Sequence, residues 1–359
     1  MLGVTTRTDP TAAEWSIRDE VIRLRQWGTD QIYLLPPPPV DKWLVGTTDA
    51  CSLKLADRLV SREHACLIRQ QGKWSIRDLG SKNGLRCDGA HRDSFVLDPG
   101  IEIGIGETTL IAESQQSIAL HGFLARILGW SSDRIDAVDH ALRSVRMAAT
   151  RRTALVLSGD SDLVPIAYGL HRHTLGAERP FIVSDPHRGN RQESVRSAAN
   201  HVRGLAGLEA ATGGSLCVRS FRLPLDFASV LVRLRKPDAR VQLIVCMQDH
   251  GDGDAFLAVP IHVPPIKQRA SELRRIIDEY ALDAAVALDA SPSSFTSADR
   301  EWVLKHGASS LAEIEKATLR LTALRISRNR TRAAERLGMA PVSLTRWIGR
   351  RKPPEPLES

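Results

Sequence analysis

The 359-residue sequence predicts a three-part chain: an all-β sandwich, an α/β core, and a C-terminal all-α helix-turn-helix. Three observations predict it. Short alternating apolar and polar runs, separated by Gly and Pro turns, occupy the first third. Buried-type apolar runs alternate with helical periodicity in the middle, the pattern of a parallel sheet covered by helices. The end of the chain is dense in cations: Arg320 to Lys352 holds ten Arg and Lys against one carboxylate, Glu335. That segment alone outweighs the net charge of +7 on the whole chain.

Composition bounds the class. Hydrophobic residues make up 42% and charged residues 25%, which excludes a disordered or fibrous chain. No apolar run is long enough to span a bilayer, and the N-terminus lacks a charged region followed by an apolar one, so no membrane span or signal peptide is expected. Cys51, Cys66, Cys87, Cys217 and Cys246 are odd in number without CxxC spacing. That pattern predicts reduced thiols in a cytoplasmic protein rather than a disulfide framework or a zinc site.

The order of elements follows from the same reading. Residues 1–28 are expected to be an N-terminal extension with a short amphipathic stretch, Ala13 to Gln26, and residues 29–114 the sandwich. Pro36 to Pro39 cannot lie inside a sheet and mark a turn or edge loop. Ala65-Cys66-Leu67-Ile68-Arg69 and Lys73-Trp74-Ser75-Ile76-Arg77-Asp78-Leu79 form a hairpin around Gln70-Gln71-Gly72.

Within this segment Gly46, Ser61-Arg62-Glu63-His64 and Asp78-Leu79-Gly80-Ser81-Lys82-Asn83-Gly84 resemble the forkhead-associated (FHA) domain, over roughly Gln31 to Glu113. The resemblance implies a sandwich that reads phosphothreonine peptides from loops at one end. Phosphate needs cations and hydrogen-bond donors, which Ser61, Arg62, Ser81 and Lys82 offer, while Asn83 suits peptide backbone. His64, by the same resemblance, braces the loops from inside. One position departs from the family: Thr47 stands where an arginine normally follows the strand-ending glycine. Losing that guanidinium removes a contact worth roughly 1.5–3 kcal/mol. An interaction sandwich without phosphate dependence is the plainer reading.

Residues 118–290 are expected to be the α/β domain, with helices at Ile135 to Ala148 and Leu163 to His171. Strands are expected at Thr153 to Gly159, Phe181 to Val183 and Val241 to Cys246. Strand, glycine turn and helix at Gly159 is where a phosphate-binding loop would sit, yet Gly159-Asp160-Ser161-Asp162-Leu163-Val164-Pro165 has no Lys-Ser/Thr pair. The surroundings resemble the AAA+ domain of sigma-54-dependent (NtrC-type) activators. The resemblance runs through Arg179-Pro180-Phe181-Ile182-Val183, Gly213 to Ser220, Leu223-Pro224-Leu225-Asp226 and Ile261 to Arg269, and ends at Glu313-Ile314-Glu315-Lys316. It implies an ATPase fold whose chemistry is gone. The acidic pair that holds magnesium is replaced by Arg219-Ser220, no loop lysine exists, and Ala312 replaces an arginine. No ATP hydrolysis, no cofactor and no metal are expected. Asp249-His250-Gly251-Asp252-Gly253-Asp254 lacks the length and terminal Glu of a calcium loop and reads as a surface turn. Gly159-Asp160-Ser161, with Asp185 and His187, lacks a nucleophile elbow.

After Ser291-Pro292-Ser293-Ser294, read as a linker, residues 291–325 are expected to be helical, at Asp299 to His306 and Leu311 to Arg325. By resemblance they are the small lid of that ATPase fold. Residues 326–352 resemble the Fis-type helix-turn-helix of the same activators, through Asn329-Arg330-Thr331-Arg332-Ala333-Ala334, Leu337-Gly338 and Leu344. Pro341 suits the first turn of the second helix, and Leu337, Met339, Leu344 and Ile348 are core by spacing. Double-stranded DNA is then the expected partner. Ser343 and Arg346 would face the groove, and Asn329, Arg330, Arg332, Arg350 and Arg351 the phosphates. A homodimer on a two-fold site follows from that geometry. The sequence thus reads as a DNA-binding transcriptional regulator with a phosphothreonine sensor. A phosphopeptide adaptor, or an ATP-driven sigma-54 activator, is the alternative.

Overall fold

The structure, a computed structural model, describes residues 17–195, 197–236, 238–248 and 259–354. The acidic turn at Asp249 to Asp254 lies outside them, as does the start of the stretch from Ala13.

The sandwich has two sheets. One runs β2 (Ile32–Leu34), β1 (Val21–Gln26), β11 (Thr108–Ser114), β10 (Glu102–Ile105), β7 (Leu85–Cys87) and β8 (Ala90–Arg92). The other runs β4 (Leu53–Lys54), β3 (Lys42–Gly46), β5 (Ala65–Gln70), β6 (Lys73–Asp78) and β9 (Ser94–Val96). Alternation along the strands places Leu67, Trp74, Ile76, Ile103, Ile105 and Leu110 inside, each 2% exposed or less. The predicted hairpin is β5–β6, with Gln70 paired to Lys73. Its two turn residues, Gln71 and Gly72, both take positive φ (50° and 76°), the conformation that matches strand twist. The sandwich begins earlier than the sequence places it: β1, inside the presumed extension, pairs with β11 along its length.

Ser114 ends β11 and caps α1 (Gln115–Leu128) through a capping box with Ser117, so no linker separates sandwich from core. Next come α2 (Ile135–Arg151), β12 (Leu155–Ser158), α3 (Val164–Leu175), β13 (Phe181–Ser184), β14 (Ala199–His201), α4 (Gly204–Ala210), β15 (Ser215–Arg219), α5 (Phe227–Leu234), β16 (Gln242–Met247) and β17 (Ile261–His262). The strands form one parallel sheet in the order β14-β13-β15-β16-β12-β17. Helices cover both faces, so its strands are continuous apolar runs, as in Leu243-Ile244-Val245-Cys246.

The C-terminal region is helical: α6 (Leu273–Ala287), α7 (Ser297–His306), α8 (Leu311–Arg325), α9 (Arg330–Arg336) and α10 (Pro341–Arg351). Here the expected boundary moves. Helix α6 packs along α8 and against α7, so the bundle starts before residue 291. Ser291 to Ser294 is a 3-10 turn capped by the Ser291 hydroxyl within that bundle, not a linker.

Arg25 ties the first two parts together. Its guanidinium is buried and reaches Glu113 of β11 at 2.8 Å and Asp139 of α2 at 3.1 Å. The backbone N–H of Gly28 donates to the same Asp139 at 2.9 Å. Burial alone would raise the Asp139 carboxyl, but His121 and Arg25 outweigh it and hold it at about 2. Arg143 and Arg146 of α2 add paired contacts to Glu102 and Asp88 of the sandwich.

Candidate functional site: the loop end of the sandwich

At one end of the sandwich two loops converge, residues 47–64 and 78–84. Gly46 permits the approach. A Cβ there would lie 2.2 Å from the Arg62 carbonyl oxygen, which only glycine tolerates. That carbonyl accepts from the Thr47 N–H (3.1 Å), the Thr48 hydroxyl (3.2 Å) and the Cys51 thiol (3.2 Å). The backbone of Arg62 is thereby fixed while its side chain stays exposed.

His64 is fully buried between the loops. Its Nδ1 accepts the Ser61 N–H at 3.1 Å, so its Nε2 carries the proton and donates to the Gly84 carbonyl at 3.0 Å. The ring joins the two motifs and has no room for chemistry of its own. Asp78 organises the second loop, accepting from the N–H groups of Gly80 (2.8 Å) and Ser81 (3.0 Å) and from the Ser81 hydroxyl (2.5 Å). Burial would raise the Asp78 carboxyl, but the Ser81 and Gly80 donors hold it below the ordinary range.

The structure therefore brings Ser61, Arg62, Ser81, Lys82 and Asn83 together, but not in equal roles. The Ser61 hydroxyl accepts the Lys82 N–H at 3.1 Å, leaving its own proton free for a ligand. The Arg62 and Lys82 side chains are exposed, without an ion-pair partner among the described residues. Ser81 departs from expectation: its hydroxyl donates to Asp78 and accepts from Gly84 at 2.9 Å, which spends its proton inside the loop. Asn83 donates to the Leu59 carbonyl at 2.7 Å and so braces its own chain, with its side-chain oxygen left over. Thr47 sits half-buried beside Arg62 and brings no charge. The contributions of Asp78 and Thr48 were not singled out in the sequence. An Asx-type turn ahead of three polar residues between glycines was the available signal.

The basic C-terminus forms two helices joined by a turn in which Gly338 takes φ 61°. Leu337 and Leu344 are buried, and Met339 and Ile348 pack beside them. Arg330, Arg332, Ser343, Arg346 and Arg350 are exposed. Three expected contacts are engaged elsewhere, Arg332 among them through its ion pair with Glu335 at 3.0 Å. The Asn329 side chain caps α9, accepting the Arg332 N–H at 2.9 Å. Arg351 turns back onto α7 and α8, donating to the His306 carbonyl at 2.5 Å and lying 3.5 Å from Glu313. Trp347 stacks edge-on to Trp302, 5.5 Å between centroids, and under Arg320.

At the carboxyl edge of the parallel sheet, Arg219 is buried and bridges Asp162 (3.0 Å), in the turn after β12, and Asp185 (2.9 Å), after β13. Asp185 thus serves an arginine clamp, and the His187 backbone N–H donates to its carboxylate at 3.0 Å. Among the described residues no three His, Cys, Asp or Glu side chains converge as metal ligands would, and no helix is long and apolar enough to cross a membrane.

A family model described as the cytoplasmic domain of an inner membrane component of the type III secretion system matches residues 39–116. A Corynebacterium diphtheriae oxoglutarate dehydrogenase inhibitor is 42% identical over 57 residues, which span 16% of this chain and 40% of that relative. The FHA domain of a Chlamydia trachomatis protein is 24% identical with a TM-score of 0.24, covering 26% of this chain and 95% of the other. An Arabidopsis thaliana FHA domain is 27% identical with a TM-score of 0.23, covering 25% and 80%. With its two motifs joined through His64, the N-terminal part of the chain is an FHA-like β-sandwich, followed by an α/β sheet and a helical C-terminal region.

Proposed function

We propose that this chain is a phosphothreonine-peptide-binding adaptor whose reading head is the loop end of the sandwich. One observation carries the reading: Ser61, Arg62 and Lys82 present a free hydroxyl proton and two cations unpaired among the described residues, on loops locked by His64. A phosphate gains most from charge-assisted donors already held in place. The C. diphtheriae relative is named for inhibiting another enzyme, which suits a module that acts by binding a protein. Calorimetric titration with a phosphothreonine peptide library and its unphosphorylated twin tests the proposal. Preference for the phosphorylated set supports it, and indifference leaves a plain interaction sandwich.

A second reading, sequence-specific binding of duplex DNA by a homodimer, is favoured by Arg346 and Ser343 standing exposed on α10, after the Gly338 turn. In this reading Arg346→Ala costs roughly 1–3 kcal/mol on the preferred site and flattens the preference. Equal DNA binding by a chain ending at Arg325 removes the reading. The α/β core, in either case, is proposed to be a scaffold related to the AAA+ domain that hydrolyses no nucleotide. A lysine-free loop and a buried arginine clamp support that.

A further inference from the structure

A cavity lies away from the sandwich loops, outside the carboxyl edge of the parallel sheet and under the helical bundle. It measures about 410 Å³, the size of a small-molecule site. Its floor is apolar, from Val164, Val183, Ala284 and Leu319. Its charge is lopsided: five arginines line it (Arg126, Arg172, Arg188, Arg191 and Arg219) against three carboxylates, Asp162, Asp283 and Glu315. Most of these charges are already satisfied. Arg219 holds Asp162 and Asp185, Arg126 donates to Asp283 at 2.7 Å, and Arg188 lies 3.6 Å from Asp185.

What remains points to the occupant. Arg172 and Arg191 have no carboxylate partner among the described residues, and Arg172 is held over the Tyr168 ring at 5.8 Å. The Glu315 carboxylate has no hydrogen-bond partner among the described residues either. Burial, with Asp283 adding to it, pushes its carboxyl up to about 7, so near neutrality it can offer a proton instead of a charge. Two free guanidiniums and a protonatable acid over an apolar floor match one ligand chemistry. A nucleoside triphosphate fits poorly: among the described residues no glycine-rich nest of free N–H groups lies at the sheet edge, and Asp162 stands in the turn after β12 where phosphates would go.

We propose that this cavity binds a small organic anion, a carboxylate or phosphate monoester on an apolar body, gripped by Arg172 and Arg191. Carboxyl ends of parallel strands are where open α/β sheets place their ligands. The experiment uses the full chain and four probes: octanoate, octyl phosphate, octanol and magnesium-ATP, followed by calorimetry and thermal melting. One or both octyl anions should bind and raise the melting temperature, and the stronger of the two identifies the acid group. Arg172→Ala with Arg191→Ala, both on the exposed rim, should weaken anion binding at least tenfold. Ala287→Trp, which narrows the cavity without changing charge, should weaken it as well. Ser61→Ala with Lys82→Ala should leave it intact, which separates this site from the phosphopeptide loops. Binding of neither anion, equal binding of octanol, indifference to the arginine pair, or binding of magnesium-ATP alone each overturns the proposal.

Discussion

Thr47 is the residue on which the proposed phosphopeptide affinity of the sandwich turns. Its backbone is hydrogen-bonded to the Arg62 carbonyl, so the position is fixed and only the side chain's charge is missing. Thr47→Arg is expected to strengthen phosphothreonine-peptide binding by roughly tenfold or more, the worth of one charge-assisted contact, read by calorimetry. Glu315 gives a test by pH. Its carboxyl, ordinarily near 4.5, titrates at about 7 in the fold. The folded state therefore keeps a proton that the unfolded chain releases, and the stabilisation is full below about 4.5 and lost as pH rises through about 7. Glu315→Gln should leave stability unchanged at pH 4 and raise it by on the order of 1–3 kcal/mol at pH 8, as urea unfolding at the two pH values would show. These two residues differ in legibility. Thr47 stands out beside a local motif, whereas Glu315 acquires its environment from α1, α3 and α6, which no local pattern connects.

At the scale of elements, β1 explains a miss. Val21-Ile22-Arg23-Leu24-Arg25-Gln26 alternates poorly because its register on β11 shifts between Val21 and Arg23, and because Arg25, on the face opposite the core residue Leu24, is buried as well. Glu113 and Asp139, 88 and 114 residues away, supply the charges that make that burial tolerable. Removing one member of such a cluster strands the others, so Arg25→Ala is expected to cost about 3–5 kcal/mol, measurable by thermal or urea denaturation. By contrast, α2, β12, α3, β13 and β16 were legible from periodicity, since each presents one apolar face or an unbroken apolar run. The bundle boundary was not. A Ser-Pro-Ser-Ser turn inside a helical bundle has the same composition as a linker, and only the packing of α6 on α8 distinguishes them.

For the whole molecule, the continuous passage from β11 into α1 and the Arg25, Arg143 and Arg146 contacts join sandwich and core into one unit. The proposed absence of nucleotide chemistry belongs to this scale, because it depends on strands β12, β13 and β15 placing Asp162, Asp185 and Arg219 together. Purified protein should release phosphate from magnesium-ATP no faster than buffer does. Turnover that copurifies with the chain and is lost in Arg219→Ala would contradict that assignment. The central claim, that the loop end reads phosphothreonine, is tested most directly on Ser61→Ala with Lys82→Ala. Calorimetry with a phosphopeptide selected by the wild-type chain is the measurement. The double variant should keep its melting temperature within a few degrees and lose the phosphate preference entirely, whereas undiminished discrimination between the phosphorylated and plain peptides would contradict the claim.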